Sequence, residues 1–330
     1  DNWALETGDN ISDHEQITQE LRLASDTGGP FDWLLGFYYF YEDVAIDQLN
    51  ASSFPAFGAP PLATPTVIAQ QFQENNAWAV FASVDYAFTD RLDAKAGIRY
   101  ARDDKEHVFA CTPTNFNTPF PCPTSIETNA DDSAVTGDIS LTYALNQNAN
   151  VYGRIARGFK APSILARDSV PDVGESETIW SYEAGVKSEL LDNRLRLNLT
   201  GFYYRMSDQQ LPVVGGVTNT IGLVNADTTI GYGFESDLEF SPNDAVLLTA
   251  GLSMNETEID DPSLGIGVCG ANCTVLDPVN PSNPSQRLID GNSLPNAPKW
   301  IANATLRLSQ PLFGGEVFFL TDWFYRSSIR

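Results

Sequence analysis

The stretch RLRLNLTGFYYR, residues 194–205, separates the possible folds of this chain. Leu195, Leu197 and Leu199 alternate in it with charged or polar residues, so every second side chain is apolar. A period of two residues is typical of a β-strand with one apolar and one polar face. In a soluble β-protein the apolar face covers a core, whereas in a membrane barrel it faces lipid. The alternation alone fits both classes, so the rest of the chain has to decide.

The composition excludes two classes of protein. The 330 residues include 43 Asp and Glu against 19 Lys and Arg, a net charge of −24. This shortage of basic residues argues against nucleic acid as a partner. The longest apolar run, residues 33–41, covers about nine residues, whereas a membrane-spanning helix needs about 20. Two or three soluble domains, or one large all-β body, remain possible for a chain of this length.

Strict alternation recurs along the whole sequence and predicts twelve strands with almost no helix. Several of these strands have ten or more residues, although strands of globular proteins usually have about five or six. A tilted membrane strand needs about nine to eleven. The predicted strands are 16–24, 31–43, 78–88, 91–103, 139–145, 151–160, 181–190, 194–205, 230–240, 245–259, 299–309 and 316–326.

The connections alternate between short turns and long loops, and this favours a membrane barrel. A soluble sandwich has no reason to place every long loop at one end, whereas outer-membrane barrels have short periplasmic turns and long external loops. The predicted short turns are 25–30, 89–91, 146–149, 192–194, 241–244 and 310–315. The predicted long loops are 47–73, 104–131, 161–177, 207–220 and 260–297, all rich in Pro, Gly, Asn, Asp or Ser.

Aromatic residues, 11% of the chain, concentrate at both ends of the predicted strands. Clusters at 37–41, 202–204 and 323–325 lie toward the long loops, while others such as Trp33 and Tyr143 lie near the short turns. Two aromatic bands are what the two membrane interfaces select. The sequence therefore predicts an antiparallel transmembrane β-barrel with lipid against the leucines.

Six segments, taken in order, resemble the barrel of TonB-dependent outer-membrane receptors. The resemblance covers roughly residues 15–330. It is carried by QELRLAS (19–25), FDWLLGFYYF (31–40), VYGRIARGFKAPSI (151–164), YEAGVKSELLDNRLRLNLTGFYYRMSDQQ (182–210), NADTTIGYGFESDLEFSPND (225–244) and LPNAPKWIANATLRLSQPL (294–312).

The resemblance implies a bacterial outer-membrane protein whose barrel of about twenty-two strands is filled by an N-terminal plug. Such receptors import scarce ligands, most often ferric siderophores, with energy relayed by the TonB complex. Here only twelve strands are predicted, no plug-like region or TonB box precedes residue 15, and the chain stops within a strand at RSSIR. We therefore expect residues 1–330 to be part of one barrel domain, with the plug and closing strands elsewhere. A complete twelve-stranded channel is the alternative.

The expected partners are outer-membrane lipid and lipopolysaccharide, the TonB complex through the missing plug, and a small ligand such as a ferric siderophore. A passive porin-like channel and a secreted soluble β-protein that binds glycans are the rival functions. The long loops are net acidic, which disfavours a highly anionic ligand. The lumen or loop residues expected to contact the ligand are Arg154, Arg167, Tyr204, Gln209 and Gln210.

The four cysteines form two close pairs in the long loops, Cys111 with Cys122 and Cys269 with Cys273. An even count in close pairs favours disulfides in an oxidising compartment. Zinc is the rival, but neither pair has C-x-x-C spacing and the chain has only two histidines, His14 and His107. We predict two external disulfides and no metal.

No other motif indicates catalysis or a cofactor. GIGVCG at 265–270 satisfies G-x-G-x-x-G, but a Pro-rich segment follows it where a dinucleotide site needs a helix. Two histidines cannot complete a nucleophile–His–acid set within the predicted lumen charges. The doublets 103–104, 131–132 and 260–261 are expected to be solvated strand ends rather than calcium sites. Arg99, Arg154, Glu183, Lys187, Glu189, Arg196, Glu235, Asp237 and Glu239 are expected to line a wet barrel interior.

Overall fold

A computed structural model describes residues 6–26, 28–52, 67–113, 125–165, 171–216, 220–268 and 276–329. These residues form strands, turns and loops, and none lies in a helix. No helix long and apolar enough to cross a membrane occurs in these ranges. The long strands form one antiparallel sheet of twelve strands in chain order, which confirms the predicted number.

The sixteen strands fall into two groups. Two hairpins of three-residue strands, β7 with β8 and β13 with β14, lie outside the twelve-stranded sheet. In chain order the strands are β1 (Glu6–Ala24), β2 (Phe31–Ser52), β3 (Val67–Thr89), β4 (Leu92–Pro113), β5 (Ile126–Asn146), β6 (Ala149–Lys160), β7 (Ser163–Leu165), β8 (Asp172–Gly174), β9 (Glu177–Leu190), β10 (Leu195–Gly215), β11 (Thr220–Asn243), β12 (Val246–Ile259), β13 (Gly265–Gly267), β14 (Gln286–Leu288), β15 (Trp300–Leu312) and β16 (Gly315–Arg326).

Two of the short turns contain consecutive residues in the left-handed backbone region. Between β15 and β16, Phe313 and Gly314 have φ values of 54° and 78°. Two successive positive φ values match the right-handed twist of the flanking strands, which is why such two-residue turns join hairpins. At the DNR turn, Asp192 and Asn193 have φ values of 56° and 64°, and Asn and Asp tolerate this region better than most residues.

The register confirms the two faces predicted for residues 194–205. Leu197 lies opposite Ser188 on β9 and Leu238 on β11, while its neighbour Asn198 lies opposite charged residues on both strands. Since successive side chains point to opposite faces, the leucines share one face and the charges share the other. We refer to these as the outer and inner faces.

The outer face carries an apolar band of constant height. On β10 the five outer side chains from Leu195 to Tyr203 are uncharged, and the first charge is Arg205. The same holds on β4 from Leu92 to Tyr100, where Arg102 follows. These nine-residue spans match the roughly nine to eleven residues of a tilted membrane strand. Outer isoleucines remain exposed, for example Ile98 at 59%, as expected of a surface that contacts lipid.

Most strands continue well beyond their predicted ends, so the loops predicted at 47–73, 104–131 and 207–220 are wrong in large part. β4 continues to Pro113 rather than residue 103, and β5 begins at Ile126 rather than residue 139. Directly above the apolar band the outer side chains of β4 are polar, and its inner face mixes polar residues with the buried His107 and Phe109. No alternation therefore marks the strand, although its backbone stays paired. The predicted loops 161–177 and 260–297 hold the two short hairpins.

A small apolar cluster lies at the long-loop end of the sheet. Ile289 and Leu294, from the segment between β12 and β15, are buried against Leu211 of β10, Ala226 of β11 and Ile259 of β12. The backbone N–H of Leu294 also donates to the buried Thr257 Oγ1 at 3.0 Å. This connection is therefore packed onto the three strands below it.

Candidate ligand-binding lumen

The inner face gathers the charges that the sequence assigned to a wet interior. Cross-strand registers place Arg99, Arg154, Glu183, Lys187, Glu189, Arg196, Glu235, Asp237 and Glu239 on this face. Near the short turns, Arg196 bonds Glu189 at 3.3 Å and lies 3.5 Å from a Glu239 oxygen. The side chains of these three residues are about half exposed, so each pair adds only about 0.2–1 kcal/mol to stability. Their main effect is to balance charge along the wall.

Arg154 points into the lumen from β6 but does not present a free charge. Its Nε donates to Asp138 Oδ2 at 3.2 Å and its Nη1 donates to Glu183 Oε1 at 3.4 Å. The guanidinium is thus held between carboxylates of both neighbouring strands, β5 and β9. A ligand that contacts Arg154 would have to compete with these two carboxylates.

Tyr204 lies flat on the inner wall. Its ring stacks on Phe202 with centroids 6.3 Å apart and planes 14° apart. The cross-strand partners of the two rings are Gly231 and Gly233 of β11. A Cβ built on Gly231 would lie well inside 3.0 Å of the Tyr204 ring, so the glycine is what allows the ring to lie there. The exposed ring face is a flat apolar platform in the lumen.

A second inner aromatic residue, Tyr152 of β6, is placed in the same way over Gly185 of β9. Its hydroxyl lies 2.7 Å from Thr200 Oγ1, and Lys187 Nζ lies 5.4 Å from its ring centroid. The pairing of an inner aromatic ring with a glycine across the strand keeps these rings off the lumen axis.

Gln209 and Gln210 form hydrogen bonds with different parts of the wall. The Thr229 hydroxyl donates to Gln209 Oε1 at 2.6 Å. Gln210 is only 6% exposed, and its amide donates to the carbonyls of Ala161 at 3.0 Å and Glu175 at 2.8 Å. Gln210 therefore fixes the connection between β6 and β9 rather than lining open space.

The structure does not assemble the five ligand candidates into one contact set. Within the described ranges, no hydrogen bond or ring contact joins Arg154, Tyr204, Gln209 or Gln210 to another of the four. Arg167 lies outside the described residues. Tyr204 and Arg154 are the two that face the lumen from the membrane-spanning part of the wall.

Polar residues at the upper end of the inner wall lie at or beyond the ends of the predicted strands, and the sequence does not predict their contacts. Glu42 accepts from His14 Nε2 at 2.9 Å and from Asn75 Nδ2 at 2.5 Å. His107 on β4 is 3% exposed, and its Nδ1 has no hydrogen-bond partner in the described structure. Burial lowers the pKa of His107, so its ring is neutral at pH 7. Only the tertiary structure reveals this network.

The prediction that the acidic doublets are solvated strand ends is wrong for Asp261, which is only 4% exposed. Its carboxylate accepts hydrogen bonds from the Asp227 N–H at 3.0 Å, the Ser263 N–H at 3.0 Å and the Ser263 hydroxyl at 2.8 Å. Burial acts to raise the pKa of Asp261, but the hydrogen bonds outweigh it and the pKa lies below its ordinary value. The residue anchors the connection after β12.

The cysteine prediction is not tested by the described structure. Cys111 lies within β4, near its upper end, whereas Cys122, Cys269 and Cys273 fall outside the described residues. The two external disulfides therefore stay a prediction.

Comparisons with known proteins agree with this architecture. The family model described as "TonB dependent receptor-like, beta-barrel" matches residues 1–329. The pesticin receptor of Yersinia enterocolitica is 26% identical over 236 residues, which cover 69% of this chain and 32% of the receptor. The pesticin receptor of Yersinia pestis shows the same identity and coverage. The chain thus spans about a third of the length of these curated relatives.

Solved structures share the fold. The ferric yersiniabactin uptake receptor FyuA from Yersinia pestis aligns with a TM-score of 0.71 at 17% identity, covering 95% of this chain and 42% of that one. The ferric citrate transporter FecA aligns with a TM-score of 0.65 at 15% identity, covering 100% and 44%. The outer apolar band, the short periplasmic turns and the charged inner face are those of a bacterial outer-membrane barrel wall. The chain belongs to the TonB-dependent receptor-like β-barrel family.

Proposed function

We propose that the protein containing this chain imports a ferric siderophore across the outer membrane with energy relayed by TonB. The chain itself forms part of the barrel wall and is a transporter element rather than an enzyme. Membership of the family supports this proposal, as do the pesticin receptors among its relatives and the uptake receptor among its structural neighbours. Residues 1–330 are part of one barrel domain, and the plug that contacts TonB lies elsewhere in the protein.

The observation that carries the proposal is the open sheet with a polar inner face. In the described part of the chain, β1 pairs only with β2 and β16 only with β15. Unpaired backbone groups in lipid cost several kcal/mol each, so further strands have to complete the barrel. A barrel larger than twelve strands encloses a lumen wide enough for a plug and a small ligand. Passive porins are also larger than twelve strands, so it is membership of the receptor family that favours a gated receptor.

Tyr204 is the first choice for a ligand contact among the described candidates. Its ring is uncovered on the lumen side and is held flat by Gly231, so it needs no rearrangement to stack on an aromatic or apolar group of a siderophore. Arg154 is the second, because its guanidinium faces the lumen; a ligand has to compete for it with Asp138 and Glu183. Arg167 and Gln209 complete the proposed set, and Gln210 positions the connection between β6 and β9 through its bonds to Ala161 and Glu175.

The test is uptake of ⁵⁵Fe-siderophore by cells that depend on the full-length protein, with and without a functional TonB. Uptake that requires both proteins supports the proposal. Accumulation that persists without TonB would instead indicate a passive channel. Recovery of the protein in the soluble fraction without detergent, together with retention on glycan beads, would indicate the secreted glycan-binding rival.

A further inference from the structure

The outer face of the sheet contains an apolar groove between β3 and β9. Its volume is about 840 Å³, and it lies within the band that contacts lipid. The floor is formed by small residues on adjacent strands, Ala82, Ala96, Gly137 and Gly153. Larger side chains, including Ile98, Ile139 and Ile155, form its sides. Small residues surrounded by branched ones leave a depression that one acyl chain can fill.

The upper end of this groove is marked by basic and aromatic residues. Arg157 and Trp180 both line the groove. The register pairs Trp180 of β9 with Arg157 of β6 on one side and with Arg205 of β10 on the other. With strands about 4.8 Å apart, the two arginine backbones are roughly 10 Å apart across the tryptophan. In the structure the two side chains extend away from Trp180, to β5 and to β11, so both have to rotate to reach a common anion above the ring.

Neither arginine is neutralised by a carboxylate in the part of the chain that the structure describes. Arg157 donates to the Val135 carbonyl, and Arg205 Nη2 donates to Thr228 Oγ1 at 3.1 Å. Each guanidinium has five N–H donors, so most of them remain available. Arg102, at the same margin of the band, differs because it bonds Asp104 at 2.7 Å and Asp131 at 3.0 Å. Two unpaired cations are notable in a chain with a net charge of −24.

We propose that the groove, Trp180 and the two arginines form a binding site for one phosphate-bearing lipid of the outer leaflet. An acyl chain lies in the groove, the phosphate lies between Arg157 and Arg205, and Trp180 occupies the interface between them. Arginine binds phosphate through paired hydrogen bonds, and tryptophan prefers the headgroup level of a bilayer. The acidic surface elsewhere repels such a phosphate and so confines it to this position. The proposal rests on the outer-membrane location and not on siderophore transport.

The test uses native mass spectrometry of the full-length protein in detergent, titrated with phosphatidic acid or with diacylglycerol of the same acyl chains, which lacks the phosphate. We expect phosphatidic acid to bind about tenfold more tightly. The R157Q/R205Q variant should lose this preference, whereas R102Q should keep it within about twofold because Arg102 is already ion-paired. Equal binding of the two lipids by the unchanged protein, or an equal loss in R102Q, would overturn the proposal.

A second variant tests the groove separately. A Cβ built on Gly153 has its nearest atom, the Glu183 carbonyl oxygen, at 3.8 Å, so G153L fits and fills the floor. Gly137 is unsuitable, because a Cβ there would come closer than 3.0 Å to the Gly97 carbonyl. G153L should weaken the binding of both lipids several-fold. If the double arginine variant does not fold, this result alone tests whether the groove holds an acyl chain. Unchanged lipid binding in G153L would refute a lipid site. Inorganic phosphate, which has no acyl chain, would refute it too if it bound as tightly as phosphatidic acid.

Discussion

At the scale of single residues, glycines on the inner face determine where aromatic rings can lie. The G231A substitution places a methyl group inside the space of the Tyr204 ring, which then has to turn into the lumen. Overpacking of this kind costs about 1–3 kcal/mol, so we expect a lower midpoint for heat-induced loss of the folded gel band. G201A is the matched control, since the nearest atoms to its Cβ are at 3.9 and 4.0 Å. Equal midpoints for the two variants would show that Tyr204 does not depend on Gly231.

Adjacent residues of β10 should respond in opposite ways to a charge. An Arg on the lipid face costs roughly 2–4 kcal/mol at the bilayer midplane and less toward the interface. L197R should therefore reduce folding into bilayers, whereas N198R should change little because Lys187 and Asp237 already lie beside it. Nitroxide labels at the two positions provide the direct measurement. The Leu197 label should collide with lipid-soluble oxygen, and its failure to do so would contradict the outer face.

At the scale of elements, the connection after β12 depends on one buried carboxylate. D261A removes the carboxylate that accepts from the N–H groups of Asp227 and Ser263. A hydrogen bond to a charged group contributes about 1.5–3 kcal/mol, and we expect the lower end here because both donor residues are exposed. We expect faster proteolysis of residues 276–299 in this variant. D260A is the control because Asp260 is exposed and adjacent. Similar cleavage rates in both variants would argue that the apolar cluster alone holds the segment.

The same carboxylate sets a pH dependence. Because the folded pKa of Asp261 lies below its ordinary value of 3.8, the ionised form is favoured in the folded connection. Its contribution to stability is therefore complete above about pH 4 to 5 and is lost as the pH falls through the lowered folded value. Amide exchange of the 276–299 peptides, corrected for intrinsic rates, should accelerate in this acid range. D261A should show no such acceleration.

The number and faces of the strands could be predicted from the sequence, but their upper ends could not. Within the apolar band, the outer face is apolar because it contacts lipid, and the inner face is polar because it contacts water. The alternation from Leu92 to Tyr100 therefore identifies the strand and shows which of its faces is the outer one. From Arg102 to His107 both faces of β4 carry polar side chains, and only the backbone pairing with β3 and β5 shows that the strand continues. The burial of Asp261 and His107 depends on this hidden part of the wall. Trp180 and Arg205 are 25 residues apart, so their pairing depends on the register and not on any local motif.

At the scale of the whole molecule, the two edges of the sheet govern what residues 1–330 can do alone. The outer face of β16 is largely apolar, whereas its inner face combines Phe318 and Phe324, at 58% and 71% exposed, with charged residues such as Asp322. The two exposed rings on the inner face favour a covering element. Together with the unpaired edge of β1, this makes the isolated segment prone to edge-to-edge association.

We therefore expect residues 1–330, refolded alone into detergent or bilayers, to form mixed oligomers rather than a closed monomer. Closing the sheet on itself would have to pair β1 with β16, a pairing that does not occur among the described residues. Every unpaired N–H or C=O group left in lipid costs several kcal/mol. The free edges of β1 and β16 should therefore pair with edge strands of other copies of the chain. Size-exclusion chromatography, heat-modifiable gel migration and single-channel recording measure this directly. A sharp heat-modifiable monomer with steady conductance would mean that twelve strands suffice for a barrel, and the larger wall argued from the open edges would have to be abandoned.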